Sequence, residues 1–545
     1  MATKRRRADN PVLRGVTLGA AAKLRLHLQE NPEEMECSQK LSALKWQESR
    51  KHQELSREMQ VRLVDLKCPD GGIVKWGVPN MAAVMKWHIQ HNPLFLHALQ
   101  RAVRAHNMPM KIMVYSDEMV PGNVLHPEQR RKMCNWFITI LQFQRELSSE
   151  HLWLPIASLL SAKMKKLEGT CSQAHRKLME LAIQDVSGLT NAGLVLDGQL
   201  VMFKLEDPLA DELGLKSIND IKGASGIKPC IKCSNVFMKG HRYATMPGNV
   251  DICCAVFSKF EQMTNEDLWD AHDALEQQKP LLRKTPFEAL ETALGVNYSP
   301  EGVLASRVLR ETMHPVESRY DRMHCFESKG NSETEIGLLL ESLSSSKKFS
   351  NYQVQSYCNA SWENMWGPVS FAFRDDKLKG MASDVLNAVP ILFHFAKSHL
   401  QNWDKAKVDS FEALFLVTKQ LEHVKHASDC SREATSKLSD LLQRHLGFFQ
   451  AAYSADEVKP KHHYSAHLPE QYEKDGFYAD CFAPERHQKL VKAIADSFSN
   501  TSAELYEFYI LSRVHRAMQK EVEDALNMSA KGKAVEFQGE PFMRW

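Results

Sequence analysis

The sequence lacks the features that mark membrane, secreted and fully disordered proteins. Among its 545 residues, no apolar run approaches the roughly 20 residues that a membrane-spanning helix needs. No apolar segment follows the first residues, Met-Ala-Thr-Lys-Arg-Arg-Arg, so no secretory signal is visible and we expect an intracellular protein. Hydrophobic residues make up 43% and charged residues 25%, which is typical of a globular chain long enough for several domains.

Neither sign of charge predominates, and cysteine is sparse. The chain has 69 Lys and Arg residues against 67 Asp and Glu residues, for a net charge of +2. This balance excludes a polybasic protein that coats nucleic acid through its overall charge, but it is compatible with a local basic groove. The 12 cysteines are expected to be reduced thiols and not a disulfide framework. Only Cys230 and Cys233 form a spaced Cys-X-X-Cys pair, which makes them candidate metal ligands.

Composition divides the chain into four segments. Residues 1–60 form a charged leader, partly helical or disordered, and its Lys4–Arg7 run is either a nuclear localisation signal or a solvated tip. Strand and helix patterns alternate over 61–235, which predicts the first part of an α/β core. Long helical patterns fill 236–455, and the core resumes with closing helices over 456–545. The expected fold class is therefore α/β, with a mixed sheet interrupted by a large, mainly helical insertion domain.

Local patterns support this division. Lys111–Asp117 is a short β-like run that ends at an acid, and Leu194–Leu205 reads as two strands around an Asp-Gly turn or as one bulged strand. Between them, Glu128–Arg145 carries apolar residues at helical spacing and predicts a helix. Within the insertion the pattern predicts three longer helices: Ala382–Ala396, Ser410–Lys425 and Ser431–Phe449.

Three acids occupy positions that suit catalysis. Asp117 ends a predicted strand, Asp211 follows the second strand group, and Glu485 begins a helix. A carboxylate cluster can hold two divalent ions that clamp the attacking and leaving oxygens of a phosphodiester, and oxygen ligands suit Mg²⁺ or Mn²⁺. Each acid also has an ordinary interpretation, since Asp117 can cap the turn after it and Glu485 can complement a helix N-terminus. Asp207 is an alternative to Asp211 as the second acid.

The order of the motifs is more specific than any one of them. After Asp211, four short motifs follow in a fixed order. They are Cys-X-X-Cys at 230–233, Asp-X-X-His at 321–324, Lys-His-His-Tyr-Ser-Ala-His at 461–467 and Phe-Ala-Pro-Glu-Arg at 482–486. In this order they resemble the motifs of the DDE transposases of the CACTA (En/Spm) and Kyakuja-Dileera-Zisupton group. The resemblance runs from about residue 111 to 495.

Two segments carry most of this resemblance. Tyr-Ser-Asp-Glu-Met-Val-Pro-Gly-Asn at 115–123 looks like the group's first catalytic Asp with its following turn. Segment 461–470, followed by Glu485, looks like the group's final His-rich strand and catalytic Glu. The resemblance implies an RNase H-like core with the first Asp on the central strand, the second after a later strand and the Glu on a C-terminal helix. A helical insertion would separate the last two acids.

The resemblance also implies a structural zinc ion. In the related catalytic recombinase of V(D)J joining, a Cys-X-X-Cys pair after the second Asp shares a zinc with two His just before the Glu. Carried over, this implies Zn²⁺ on Cys230, Cys233, His463 and His467, a donor set that zinc favours. His462 is an alternative to His463. Asp321 and His324 are expected to have an accessory role near the active site.

The function expected from the resemblance is DNA transposition. An active DDE transposase hydrolyses DNA at element ends and joins the free 3′-hydroxyl to a target by two-metal-ion catalysis. Two alternatives stay open: a domesticated or inactive transposase-derived DNA-binding protein, and a zinc-stabilised protein-interaction scaffold. DNA, as transposon ends and target, is the expected partner. We expect a nuclear homo-oligomer without membrane association.

Overall fold

The structure is a computed structural model that describes residues 50–121, 131–223, 226–366, 371–400, 403–427, 429–497 and 506–530. The Lys4–Arg7 run, the turn predicted around Asn123 and the start of the helix predicted from Glu128 lie outside the described residues. Within them the chain is a mixed α/β protein that contains parallel and antiparallel strands and many helices. The predicted α/β class is therefore confirmed.

The bounds of the regular elements are as follows. The strands are β1 Arg62–Lys67, β2 Ile73–Val78, β3 Met110–Met119, β4 Met133–Ile140, β5 Leu154–Leu160, β6 Leu194–Leu196, β7 Gln199–Val201, β8 Phe203–Leu205, β9 Leu209–Ala210, β10 Val236–Phe237, β11 Val250–Asp251, β12 Arg319–Tyr320, β13 Ala372–Arg374 and β14 Lys377–Lys379. The helices are α1 Met81–His91, α2 Pro93–Ala105, α3 Ser161–Met164, α4 Thr170–Gln184, α5 Glu212–Ile218, α6 Asn265–Gln278, α7 Lys284–Leu294, α8 Arg307–Arg310, α9 Arg322–Phe326, α10 Asn331–Ser345, α11 Asn351–Trp366, α12 Ala382–His399, α13 Lys405–Ala427, α14 Arg432–Tyr453, α15 Pro460–Ser465, α16 Leu468–Asp475, α17 Phe482–Asp496 and α18 Tyr506–Ala530.

The main sheet positions the candidate site. Its strand order is β12-β9-β3-β4-β5, and β8 pairs with the first residues of β3. Strands β3, β4 and β5 are antiparallel neighbours, whereas β8 and β9 run parallel to β3, and β12 runs parallel to β9. A parallel neighbour needs a crossover connection, and α4 lies in the crossover that leads from β5 back to β8.

Strand β4 corrects one prediction. The helix predicted over Glu128–Arg145 is wrong for Met133–Ile140, which forms a strand with every residue buried. A strand that is buried on both faces has no polar face, so its apolar residues do not alternate with polar ones. Helical spacing can then be found in such a run by chance.

The predicted hairpin is present. Strands β6 and β7 are antiparallel and are joined by Asp197 and Gly198. Both residues have positive φ, at 50° and 80°, which the tight Asp-Gly turn requires. The predicted strand Lys111–Asp117 also lies within β3. These local predictions are confirmed.

The long helices predicted within 236–455 are confirmed as α12, α13 and α14, with α13 packed between the other two. Strand β12 of the main sheet also lies within this range, so the sheet takes one strand from the segment assigned to the insertion. The buried apolar side chains form two groups, one around the main sheet and one among the helices. Leu209 belongs to the first group and Ala210 to the second, so the two groups adjoin at β9.

The helices of the described residues give no candidate for a membrane span. None of them combines the length and the apolar character that crossing a bilayer requires.

Candidate functional site

Three aspartates lie level with one another where strands β9 and β12 end beside Asp117 of β3. Strand β3 pairs with β9 at Tyr115 and Leu209, and Asp117 and Asp211 each stand two residues further on. Strand β9 pairs in parallel register with β12, which ends at the residue before Asp321. Because residues two apart on a strand share a face, the register brings the three carboxylates to one face and one edge.

Helix α17 adds a fourth carboxylate to this edge. Glu485 lies in the first turn of α17. Burial, followed by the negative charges of Glu485 and Asp211, raises the pKa of Asp117 to about 7. Carboxylates that share a site disfavour one another's ionised form, and a bound cation relieves that repulsion. The three acids predicted from the sequence are therefore close enough to act on one another.

The backbone around Asp211 orients its side chain. Asp211 caps helix α5, and its Oδ1 accepts the N–H of Gly214 at 2.6 Å. A Cβ at Gly214 would lie 2.9 Å from that same oxygen, so a larger residue at this position would displace the Asp211 carboxylate from the close cap. The cap holds the carboxylate at the end of β9 before any ion binds.

Asp321 and His324 connect β12 to Glu485. Asp321 is buried and accepts the backbone N–H of Cys481 at 2.7 Å and the N–H of His324 at 2.8 Å. The ring of His324 lies between two carboxylates, with Nδ1 2.7 Å from Asp321 and Nε2 3.1 Å from Glu485. Burial opposes protonation, but these hydrogen bonds and charges raise the pKa of His324 to about 10. The imidazolium therefore donates to both carboxylates at neutral pH.

Asp207, the alternative second acid, lies in a different environment. Its buried carboxylate accepts the backbone N–H of His314 at 2.8 Å, and the Arg319 guanidinium donates to its backbone oxygen at 2.8 Å. Burial raises the pKa of Asp207 to about 7, and the charged groups that act on it are those of Arg319, Glu317 and Glu206. The structure thus brings Asp211, and not Asp207, next to Asp117.

The four predicted zinc ligands converge. His467 Nε2 lies 3.3 Å from Cys230 Sγ, 3.4 Å from Cys233 Sγ and 3.3 Å from His463 Nε2. All four ligand atoms lie within 4.8 Å of one another, and all four residues are buried. A tetrahedral ion with Zn–S near 2.3 Å and Zn–N near 2.0 Å needs ligand atoms about 3.3–3.8 Å apart. The donor set and the spacing both fit zinc.

The His-rich segment forms helices, which corrects one expectation. Segment 461–470 resembled a strand, but it lies in α15, the short link after it and α16. His463 and His467 are four residues apart, so the helical backbone brings both imidazoles to one side. The ring of His462 instead packs on Phe449, with ring centroids 4.5 Å apart. His463, and not His462, therefore lies with the thiols.

The electrostatics of this cluster favour a cation. Burial opposes ionisation of Cys230, but a hydrogen bond from Cys233 and the nearby His467 lower the pKa of its thiol well below the usual range. Burial also lowers the pKa of His463, which leaves its imidazole neutral. A thiolate at Cys230 and a neutral imidazole at His463 are the protonation states in which these side chains bind metal.

A hydrogen-bonded network that the sequence did not predict adjoins the acids. Asn135 on β4 lies opposite Asp117, and its Nδ2 donates to Gln488 Oε1 of α17 at 2.7 Å. Gln488 Nε2 donates to the backbone oxygen of Asp117 at 3.3 Å. Two signals were available: an amide inside the apolar run of β4, and the three-residue spacing of Gln488 from Glu485.

In the part of the chain that the structure describes, two groups of side chains bring possible metal-ligand atoms within 4.8 Å of one another: Cys230, Cys233, His463 and His467, and the group of Asp321, His324 and Cys481 beside Glu485. The cysteine-histidine group suits zinc, and the carboxylates of Asp117, Asp211 and Glu485 are the oxygen ligands that hard divalent cations prefer. Comparison with known proteins gives no family assignment, since no protein-family model matches the chain and no curated protein is significantly similar to it.

Proposed function

We propose that this protein is a DDE-type transposase that cleaves and joins DNA phosphodiesters with two divalent ions. The observation that carries the proposal is the parallel register that sets Asp117 level with Asp211, together with the electrostatic coupling of Asp117 to both Asp211 and Glu485. Such a group of carboxylates at one edge of a sheet is suited to metal-assisted phosphoryl transfer. The order of the sequence motifs resembles that of the CACTA and Kyakuja-Dileera-Zisupton transposases, which supports the same proposed function.

The proposal includes an RNase H-like core. Three features support it: Asp117 lies on the central strand β3, Asp211 follows the later strand β9, and Glu485 lies on a helix near the end of the chain, α17. The long helices α12 to α14 lie between the second and third acids, as an insertion in such a core would require.

In the proposed mechanism, Asp117, Asp211 and Glu485 hold the ions. When bound, two Mg²⁺ or Mn²⁺ ions would activate a water or a DNA 3′-hydroxyl as the nucleophile and neutralise the charge that develops on the leaving oxygen. The cap from Gly214 orients Asp211, and His324 fixes the carboxylate of Glu485 by a hydrogen bond. These contacts preorganise the ligands, which reduces the cost of assembling the site during reaction.

Zinc has a structural role in this proposal. A Zn²⁺ ion on Cys230, Cys233, His463 and His467 would join the segment after Asp211 to the segment before α17. Those two segments lead directly to the second and third acids, so the ion would stabilise their relative position. Binding of this kind contributes folding free energy and not chemistry.

Metal-dependent nicking of a supercoiled plasmid tests the function. With Mg²⁺ or Mn²⁺ the wild type should nick DNA, and Asp117→Asn, Asp211→Asn and Glu485→Gln should each abolish nicking because the three acids share the ions. Binding of DNA should persist, since affinity comes mainly from Lys and Arg contacts to phosphates. Asp207→Asn is the matched control, because it changes a buried aspartate near β9 in the same way and should leave nicking intact.

The other outcomes are equally informative. Loss of nicking in Asp207→Asn with activity retained in Asp211→Asn would reassign the second acid. A wild type that never nicks DNA would refute the catalytic proposal. Salt-dependent DNA affinity without nicking would then support an inactive transposase-derived DNA-binding protein, and absence of DNA affinity would support the zinc-stabilised scaffold. The proposal also places the active protein in the nucleus, as a homo-oligomer on transposon ends and target DNA.

A further inference from the structure

A row of polar side chains continues from the acids across the antiparallel half of the sheet. Asp117 pairs with Asn135, and Asn135 pairs with Ser158, as direct neighbours on β3, β4 and β5. Directly opposite residues of antiparallel strands project to the same face. Asn135 and Ser158 are completely buried in strands that are otherwise largely apolar. Buried polar groups in such a position are costly unless they are hydrogen-bonded.

Gln488 of α17 completes the row. Ser158 Oγ donates to Asn135 Oδ1 at 2.5 Å, and Asn135 Nδ2 donates to Gln488 Oε1 at 2.7 Å. Gln488 Nε2 then donates to the backbone oxygen of Asp117 at 3.3 Å. The chain of hydrogen bonds therefore runs from β5 through β4 to helix α17 and returns to the backbone of Asp117.

Gln488 connects the helix that carries Glu485 to the strand that carries Asp117. Glu485 and Gln488 are three residues apart on α17, so they lie on neighbouring positions of one helix face. Apolar packing is not directional, and it allows a helix to shift along its axis or to turn on the sheet. A hydrogen bond from Gln488 to the Asp117 backbone opposes both movements, because its strength depends on distance and angle.

We propose that Gln488, backed by Asn135 and Ser158, is a positioning relay that sets the distance between Glu485 and Asp117, and thereby the spacing of the two ions. The inference rests on the proposed function, since it assigns these residues to support that same site. None of the three side chains needs to touch DNA or metal. They act through the helix and the strand that carry the ligands.

Gln488→Met tests the relay, because it removes both hydrogen bonds and keeps the length of the side chain. The Mg²⁺ concentration for half-maximal plasmid nicking should rise about 10- to 100-fold, the usual effect of losing a partner that orients metal ligands. The maximal rate at saturating DNA should fall, and the DNA concentration for half-maximal rate should stay unchanged. The rise in melting temperature on adding Mn²⁺, measured without DNA, should shrink accordingly.

Gln420→Met is the matched control. Gln420 is also a buried helical glutamine, on α13, and it donates to the backbone oxygen of Ala434 at 3.1 Å. Both Gln420→Met and Gln488→Met should lower the melting temperature, because each removes a buried hydrogen bond. Gln420→Met should leave the Mg²⁺ requirement and the Mn²⁺ response unchanged. A merely structural role for Gln488 predicts the same result for both variants, and that result would overturn the relay.

Ser158→Ala is a second test of the relay, which applies even if Gln488→Met does not fold. It removes only the Ser158 hydroxyl, which donates to Asn135 Oδ1 and does not contact Gln488 or Asp117 directly. It should therefore raise the Mg²⁺ requirement by a smaller factor than Gln488→Met. In the double variant the effects should be less than additive, because both changes interrupt one chain of bonds. An unchanged Mg²⁺ requirement in Ser158→Ala and in any folded Gln488 variant refutes the relay while the function stands. A wild type without nicking and without a Mn²⁺ response refutes both.

Discussion

Replacing Asp117 with Asn should stabilise the metal-free protein at pH 8, although it should abolish nicking. The pKa of Asp117 is raised from the ordinary 3.8 to about 7, so the folded state binds this proton more tightly than the unfolded state. The free energy of unfolding is then highest below the ordinary pKa and falls as the pH rises through 7. The interval between these two pKa values corresponds to about 4 kcal/mol above that pH. This is an upper limit, because solvent reaches part of the carboxylate and screens it.

Thermal unfolding in EDTA measures this effect. Unfolding entropy of about 2.1 cal/mol/K per residue gives about 1.1 kcal/mol/K for the whole chain, so the upper limit corresponds to a rise of about 4 °C. The difference between Asp117→Asn and the wild type should be small at pH 4, where the folded wild type holds the proton and the unfolded chain, with its ordinary pKa of 3.8, holds it nearly half of the time. Addition of Mg²⁺ should stabilise the wild type more than Asp117→Asn, because the variant lacks one shared ligand.

Asp207→Asn separates burial from metal binding. Burial also raises the pKa of Asp207 to about 7, so its amide variant should likewise gain stability in EDTA at pH 8. It should nevertheless keep the wild-type response to Mg²⁺, since Asp207 is not among the acids that act on Asp117. If Asp117→Asn melts no higher than the wild type at pH 8, or responds equally to Mg²⁺, the carboxylates do not share a cation and the reasoning fails.

Three other perturbations address the zinc centre and the buried charges. Cys230→Ser should release zinc, measured by atomic absorption, and should lower the melting temperature, whereas His462→Gln should retain the metal. Arg319→Met should lower the free energy of unfolding in urea by about 3–5 kcal/mol, because it leaves the nearly buried Asp475 carboxylate without the guanidinium that binds it at 2.7 and 2.9 Å. Asp220→Asn should raise stability at pH 8 but not at pH 4 in urea titrations, because burial raises the pKa of this carboxyl to about 7.

The sequence alone predicted the elements whose signals are local. Lys111–Asp117 was predicted as a strand because a run of β-favouring residues ends there at an acid followed by a turn. Helix α13 was predicted from the helical spacing of its apolar residues. Cys230 and Cys233 stood out because a two-residue gap suits one metal ion. The helix over Met133–Ile140 was predicted wrongly, since a strand buried on both faces carries no alternating pattern.

Tertiary structure decided between alternatives that the sequence left open. Asp207 and Asp211 are both acids near one strand, but the register of β9 against β3 brings only Asp211 level with Asp117. His462 and His463 are adjacent, but successive residues of a helix point about 100° apart, so only His463 faces the thiols.

The sequence by itself determined which residue types were available for metal chemistry and on which kind of element each would lie. It did not determine that Asn135 and Gln488, 353 positions apart, would be hydrogen-bonded beside Asp117. Spacing rules act within one turn of a helix or one strand, because backbone geometry repeats only over that range. Contacts between distant segments depend on strand order, register and packing, and those arise only when the whole chain folds.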